Sequence, residues 1–149
     1  MARALVILAT GAEEMEATIT VDVLRRVGVD VVLAGLDGEA PVKCSRGVHI
    51  VPDAALSATK GPFDVIVLPG GLEGARRLAE SPLVGDLLRA QEAAGLATAA
   101  ICAAPIALAK HGVYAGHRLT SYPSVHDVVS EHGELVLAHE AHPADGAVD

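Results

Sequence analysis

The sequence predicts a three-layer α/β sandwich with a mostly parallel central sheet. Short continuous apolar runs, typical of buried strands, alternate along the chain with segments of helical periodicity. This alternation is typical of strand–helix–strand units, in which the strands are parallel. A length of 149 residues fits a single domain over residues 1–149. With 51% apolar residues and only 2% aromatics, the core is predicted to consist of Val, Leu, Ile and Ala.

Apolar periodicity and the positions of Gly and Pro predict where each element begins and ends. Strands of the parallel sheet are predicted over residues 4–8, 30–34, 65–68 and 96–102. Helices or helical turns are predicted over 13–27, 76–78, 83–94, 104–110 and 125–130. A hairpin at the sheet edge is predicted from 41–44 and 48–51, with further strands at 119–122 and 135–138 and a polar, loose end at 141–149.

The first helix has the clearest pattern. Its apolar residues recur every four positions, at Met15, Ile19, Val23 and Val27. Acidic residues lie in its first turn and arginines in its last, as the helix dipole favours. Gly28 follows at the position where helices commonly end.

The stretch 96–105 is typical of a nucleophile elbow. An apolar run ends at Cys102, and a helical pattern begins almost at once. Such an elbow projects its nucleophile above the sheet edge and directs the following amides at it. Ala103 and Ala104 suit a tight turn, and Pro105 suits the first turn of a helix. The alternative is that Cys102 is a small buried hydrophobe, as most free cysteines are.

Three loops are expected to meet at this elbow, because ligand sites in parallel sheets lie beyond the carboxyl ends of the strands. Glu16, one turn into the first helix, can lean over Cys102 and act as a buried, protonated acid that donates to its thiolate. Alternatively, Glu16 only caps the helix or faces solvent. The amides of Gly70, Gly71 and Ala103 can form an oxyanion hole, although Pro-Gly-Gly is also an ordinary turn.

Composition and motifs argue against several other classes. A net charge of −8 disfavours nucleic acid or an anionic membrane as a partner. Two cysteines, Cys44 and Cys102, with no C-x-x-C pattern, fit a reducing compartment. The longest apolar run is too short to span a bilayer and the start does not resemble a signal peptide, so the cytoplasm is expected. No dinucleotide motif is present, and a solvated face is favoured over a metal site at His139, Glu140 and His142. Neither a metal nor a cofactor is expected.

Five motifs, read in order, resemble one known family. They are RALVILA at 3–9, GAEEME at 11–16, CSR at 44–46, DVIVLPGG at 64–71 and AAICA at 99–103. Together they resemble the ThiJ/PfpI superfamily (class I glutamine amidotransferase-like). Within it they are most similar to the branch of the Parkinson-disease protein deglycase and its bacterial chaperone-like relatives. The resemblance implies a flavodoxin-like fold.

The resemblance also implies an activity and its residues. Cys102 matches the oxidation-sensitive nucleophile of the family, Glu16 its protonated acid, and Gly71 and Ala103 its backbone donors. Family members act without a cofactor as glyoxalases or deglycases on methylglyoxal, glyoxal or their early glycation adducts. They form a hemithioacetal and release lactate or glycolate. Two alternatives are a non-enzymatic oxidative-stress sensor or redox-linked chaperone that works through oxidation of Cys102, and an inactive truncated paralogue.

Members of the family are usually homodimers in which the first helix and the hairpin face the partner. That arrangement implicates Met15, Arg26, Arg46 and Val48 in a dimer interface.

The chain departs from the family pattern at three points. Ala103 stands where protease-like relatives have a histidine, which argues against peptidase activity. Tyr122 stands where the branch often has a histidine before a proline. A phenol is a poor proton shuttle at neutral pH, so Tyr122 is a substrate or acid–base candidate and Glu16 is expected to carry more of the proton transfer. The family also continues past the region of Leu135 with a further strand and helices, and their loss is expected to uncover apolar surface.

Overall fold

The computed structural model describes residues 1–135, with Leu135 described by its backbone alone. The strands are β1 (Arg3–Leu8), β2 (Asp30–Gly35), β3 (Val42–Lys43), β4 (His49–Ile50), β5 (Ala54–Ala55), β6 (Val65–Leu68), β7 (Ala97–Ala100), β8 (Arg118–Leu119) and β9 (Glu134–Leu135). The helices are α1 (Glu14–Arg26), α2 (Leu72–Glu80), α3 (Pro82–Ala93), α4 (Pro105–His111) and α5 (His126–His132), with 3-10 turns at Leu56–Ala58 and Pro123–Val125.

The central sheet is parallel throughout and has the strand order β5-β2-β1-β6-β7. Side chains of β1 alternate between its two faces, and all from Ala4 to Leu8 are buried. Leu5 and Ile7 enter a core shared with α2, α3 and α4. Ala4, Val6 and Leu8 enter a second core, shared with α1. Burying one large aliphatic side chain stabilises the folded state by about 1.5–3 kcal/mol, so these two cores hold the helices against the sheet. The predicted α/β sandwich with a parallel sheet is confirmed.

The edges of the sheet differ from the prediction. The hairpin is present, but β3 and β4 form a separate antiparallel sheet. One edge of the central sheet is instead β5, whose two alanines give no recognisable strand pattern. At the other edge, β7 is shorter than the predicted strand and is only partly buried, because within residues 1–135 it pairs with β6 alone.

The orientation of α1 does not follow from its apolar periodicity. The stripe Met15, Ile19, Val23 and Val27 is between 51% and 71% exposed and faces away from the sheet. The buried residues of α1 are Glu14, Ala17 and Val21. Small side chains at Ala17 and Val21 let the helix lie close to β1 and β2. The face with the small side chains is therefore buried, and the more hydrophobic stripe is exposed.

The remaining differences concern element lengths. The short helical pattern at 76–78 belongs to the longer α2, and the strand predicted at 119–122 is the two-residue β8. β8 pairs in parallel with β9. Of the strand predicted at 135–138, only Leu135 is described; residues 136–149, with His139, Glu140 and His142, lie outside the described residues.

Candidate active site

Cys102 lies in a sharp turn between β7 and α4, with a backbone φ of 60°. A left-handed conformation costs a residue with a side chain roughly 1–2 kcal/mol, and such strain is typical of functional positions. The surrounding hydrogen bonds maintain this turn. The amide of Ala104 donates to the carbonyl of Ile101 at 2.9 Å, and the amide of Tyr122 donates to the carbonyl of Cys102 at 2.8 Å. The side chain is half-buried, so the elbow presents an accessible thiol.

Glu16 is held in the first turn of α1 by its own backbone and by its carboxylate. The side chain of Glu13, which caps the helix, accepts the amide of Glu16 at 3.0 Å. Oε2 of Glu16 accepts the amide of Gly70 at 2.6 Å, and the amide of Glu13 donates to the carbonyl of Gly70 at 2.9 Å. Both backbone polar groups of Gly70 are therefore bound to the start of α1.

Gly70 and Gly71 are needed because the site leaves no room for a side chain. A β-carbon added at Gly70 would lie 2.6 Å from Cβ of Cys102 and 2.7 Å from Oε2 of Glu16. Gly70 is thus the point at which the acid and the thiol approach each other. Gly71 has a φ of 82°, and a β-carbon there would collide with the carbonyl oxygen of Gly11. The amides of Gly71 and Ala103 lie at the sulfur of Cys102 and lower its pKa.

The carboxyl and the thiol each retain their proton more strongly than usual. Burial raises the pKa of Glu16, with a further rise from the charge of Glu13, against hydrogen bonds from Gly70 and Cys102. Burial also raises the pKa of Cys102, and an ionised Glu16 raises it further, whereas the amides of Gly71 and Ala103 lower it. The two groups titrate as a coupled pair. The thiolate expected from the sequence is thus favoured only while Glu16 keeps its own proton.

The comparisons with known proteins agree with this geometry. A family model described as the DJ-1/PfpI family matches residues 2–148. The chain belongs to this family. Among curated relatives of the DJ-1/PfpI type, Protein dj-1beta of Drosophila melanogaster is 62% identical over 123 residues, which cover 82% of this chain and 66% of that protein. Glutathione-independent glyoxalase DJR-1.2 of Caenorhabditis elegans is 46% identical over 127 residues, covering 85% of this chain and 67% of that protein.

The fold is likewise that of solved DJ-1 structures. The crystal structure of Drosophila melanogaster DJ-1beta superposes with a TM-score of 0.89 at 57% identity, covering 91% of this chain and 73% of that one. The flavodoxin-like arrangement implied by the motifs is therefore confirmed. The chain spans about two thirds of the length of the curated relatives described above.

The structure brings four of the predicted DJ-1/PfpI site residues together. Cys102, Glu16, Gly71 and Ala103 meet at the ends of β6 and β7 and the start of α1. Tyr122 is tied to the elbow by its backbone amide, but its side chain is 56% exposed, and no hydrogen bond of its hydroxyl is seen within residues 1–135. Its role stays a prediction.

The predicted interface residues lie on the surface. Met15 and Val48 are exposed apolar side chains, Arg26 forms an exposed ion pair with Asp22, and Arg46 is exposed in the hairpin turn. Their part in a dimer also stays a prediction.

Two buried ionisable groups of this DJ-1/PfpI chain were not predicted from the sequence. Glu14 is a buried carboxylate, although an acid in a first helical turn usually faces solvent. Cys44 is buried, and burial together with the charges of Glu14 and Glu13 raises its thiol pKa. Both residues lie in motifs that carry the resemblance, GAEEME at 11–16 and CSR at 44–46, but their burial depends on segments distant in the sequence.

The described residues offer neither a membrane span nor a metal cluster. Within residues 1–135, no helix is long and apolar enough to cross a membrane. The same part of the chain contains no cluster of three or more His, Cys, Asp or Glu side chains arranged to hold a metal ion.

Proposed function

We propose that this chain is a cofactor-independent, cysteine-dependent glyoxalase or deglycase. Its substrates are methylglyoxal, glyoxal or their early glycation adducts, and its products lactate or glycolate. The supporting observation is the left-handed Cys102, with two backbone amides directed at its sulfur and a buried carboxyl group beside it. The glyoxalase among its relatives favours the same reaction class. Both cysteines are free thiols, which suits the reducing cytoplasm.

The proposed reaction begins at the sulfur. The Cys102 thiolate attacks the aldehyde carbon of methylglyoxal, a C–S bond forms, and the C=O electron pair moves to oxygen to give a hemithioacetal alkoxide. The amides of Gly71 and Ala103 stabilise this developing negative charge. The alkoxide then takes a proton, for which Glu16 is the nearest acid.

The second half of the reaction moves hydrogen within the substrate. The Glu16 carboxylate removes the proton from the former aldehyde carbon, and the neighbouring ketone carbon receives one through the enediol. Water then displaces the sulfur, so that lactate leaves and the thiol is restored. The aldehyde carbon is oxidised while the ketone carbon is reduced, and one water is added. No external oxidant or reductant is required. Tyr122 is a candidate contact for the substrate oxygens.

The test is direct measurement of lactate produced from methylglyoxal by the purified chain. Cys102→Ser is expected to reduce turnover at least about a thousandfold, since it removes the nucleophile. Cys44→Ala is the matched control and should keep activity, because that thiol is buried in the core beneath α1, in a different apolar cluster from Cys102. Protection against methylglyoxal without turnover would contradict the enzyme and favour the redox sensor or chaperone. Absence of cooperative unfolding together with no turnover would favour an inactive paralogue.

We also propose that the chain forms a homodimer through α1 and the β3–β4 hairpin. The exposed stripe of α1 and the exposed Val48 and Val51 form apolar surfaces of a kind that soluble monomers rarely leave open. Ile19→Glu is expected to convert a dimer to a monomer in sedimentation velocity. Asp86→Asn, an exposed position of α3 on the opposite face of the sheet, should not. A wild-type chain that sediments as a monomer at micromolar concentration would contradict the proposal.

A further inference from the structure

Glu14 is a charged side chain that the fold buries without using it in the proposed chemistry. It is the first residue of α1 and is 7% exposed. Its Oε2 accepts the hydroxyl of Ser45 at 2.7 Å, and its Oε1 accepts the amide of Arg46 at 2.7 Å. Burial by itself raises the pKa of Glu14, but these hydrogen bonds and one from the amide of Val48 bring the pKa below its usual value. The carboxylate is therefore ionised at neutral pH.

Apart from its own amide, the partners of Glu14 belong to the turn of the hairpin. This turn is also joined to the loop before α1 by two backbone bonds. The amide of Ser45 donates to the carbonyl of Ala12 at 2.8 Å, and the amide of Gly11 donates to the carbonyl of Lys43 at 2.9 Å. The hairpin and the start of α1 thus form one hydrogen-bonded unit, and within residues 1–135 Glu14 supplies the side-chain carboxylate that joins the two segments.

Glu16 lies two residues further along the same helical turn. Gly70 binds this turn on one side, through Glu13 and Glu16, and the hairpin binds it on the other side, through Glu14. A turn held from two directions has a defined orientation, whereas a turn held from one can rotate. The position of the Glu16 carboxyl against Gly70 and Cys102 depends on that orientation.

A simple helix-terminal role does not account for Glu14. An acid that only complements the helix dipole can stay in solvent, and the capping position is already filled by Glu13. A carboxylate is costly to bury unless its oxygens are fully paired. Glu14 is buried and paired with groups more than thirty residues away, which is the arrangement expected of a residue that fixes one segment against another.

We infer that Glu14 is a positioning residue. By fastening the hairpin turn to the start of α1, it holds the Glu16 carboxyl against Gly70 and Cys102. The inference rests on the proposed function only for the roles of Glu16 and Cys102 in chemistry. It also links the hairpin surface proposed for dimer contact to the geometry of the thiol.

The test uses two variants and two readouts that do not require turnover. Glu14→Gln keeps the shape of the side chain and removes its charge, and Ser45→Ala removes one of its partners. The first readout is hydrogen exchange of the Gly70 amide, relative to the core amide of Ile66. The second is the pH profile of Cys102 alkylation by iodoacetamide, read by mass spectrometry with Cys44 as the internal reference. Asp22→Asn, an exposed acid of the same helix, is the matched control.

The inference predicts a local effect. In both variants the Gly70 amide should exchange at least about tenfold faster relative to Ile66, and the midpoint of Cys102 alkylation should move toward that of an ordinary thiol. Asp22→Asn should change neither. The inference would be overturned if the variants lose global stability while the exchange rate of Gly70 relative to Ile66 and the pH profile of Cys102 alkylation stay unchanged. Glu14 would then be a structural residue only.

The two readouts still test the role of Glu14 if one variant does not fold or if the wild type shows no turnover. If Glu14→Gln does not fold, Ser45→Ala decides, because its substitution is at the surface of the hairpin. If the wild type produces no lactate from methylglyoxal, the proposed function fails, yet the exchange and alkylation readouts still judge the positioning role.

Discussion

Glu16→Gln is the substitution that best tests the electrostatics of the site. Gln retains an oxygen that can accept the Gly70 amide and an N–H that can donate to sulfur, but it removes the negative charge. Oε2 of Glu16 and Cβ of Cys102 both lie within 2.7 Å of the β-carbon position of Gly70. Charges separated by about 5 Å, in a half-exposed site with an effective dielectric constant of about 20–40, repel by about 2–3 kcal/mol. The pKa of Cys102 should therefore fall toward that of an ordinary thiol.

The assay is the rate of Cys102 alkylation by iodoacetamide from pH 5 to pH 10, with Asp22→Asn as a control that removes a charge elsewhere on α1. Thermal unfolding from about pH 3 to pH 8, a range that includes the usual pKa of a glutamate, provides a second measurement. Because the pKa of Glu16 is raised in the folded state, its contribution to stability is complete below the usual pKa of a glutamate and is lost as pH rises through the raised value. The wild type should lose stability over that interval, whereas Glu16→Gln should not.

A rise in the thiol pKa of Glu16→Gln would refute this reasoning. It would mean that the proton of Glu16 stabilises the thiolate more strongly than the Glu16 carboxylate repels it. That result would support the pair expected from the sequence, in which a protonated Glu16 donates a hydrogen bond to the Cys102 thiolate. An unchanged thiol pKa would mean that Glu16 and Cys102 are not coupled, and neither description would hold.

Further substitutions test the packing around the site and the two thiols. Gly70→Ala should reduce lactate formation at least about a hundredfold and cost about 1–3 kcal/mol in denaturant unfolding, because its β-carbon meets both Cys102 and Glu16; near-normal turnover would contradict the observed packing. Leu88→Ala, in the core between α3 and the sheet, should lower the free energy of unfolding by about 2–5 kcal/mol, and a loss below 1 kcal/mol would contradict its burial. Cys44 should be alkylated at least about tenfold more slowly than Cys102 at pH 8, since it is buried beside Glu14; equal rates in the intact protein would contradict that environment.

Local patterns in the sequence determined the layered architecture and the position of the elbow at Cys102. The apolar runs of β1 and β6 are long enough to identify buried strands, and the change from strand to helix at Cys102 marks the elbow. These features depend on neighbouring residues and on backbone geometry, and so they can be predicted from a short stretch of chain. The approach of Glu16 and Cys102 to each other beside Gly70 also follows from the sequence, because loops at the carboxyl ends of parallel strands meet at one edge of the sheet. Their chemical roles stay a prediction.

Tertiary packing decided which face of α1 is buried and which of its acidic side chains is enclosed. The stripe from Met15 to Val27 is the most hydrophobic face of α1, yet the small Ala17 and Val21 face the sheet. The same rotation buries Glu14 against the hairpin, where three donors from a distant segment make its charge tolerable. Which face of a helix is buried, and which charge finds partners, depends on the shape and the donors of the surface it meets. That surface is assembled from residues far apart in the chain, and it exists only once the chain has folded.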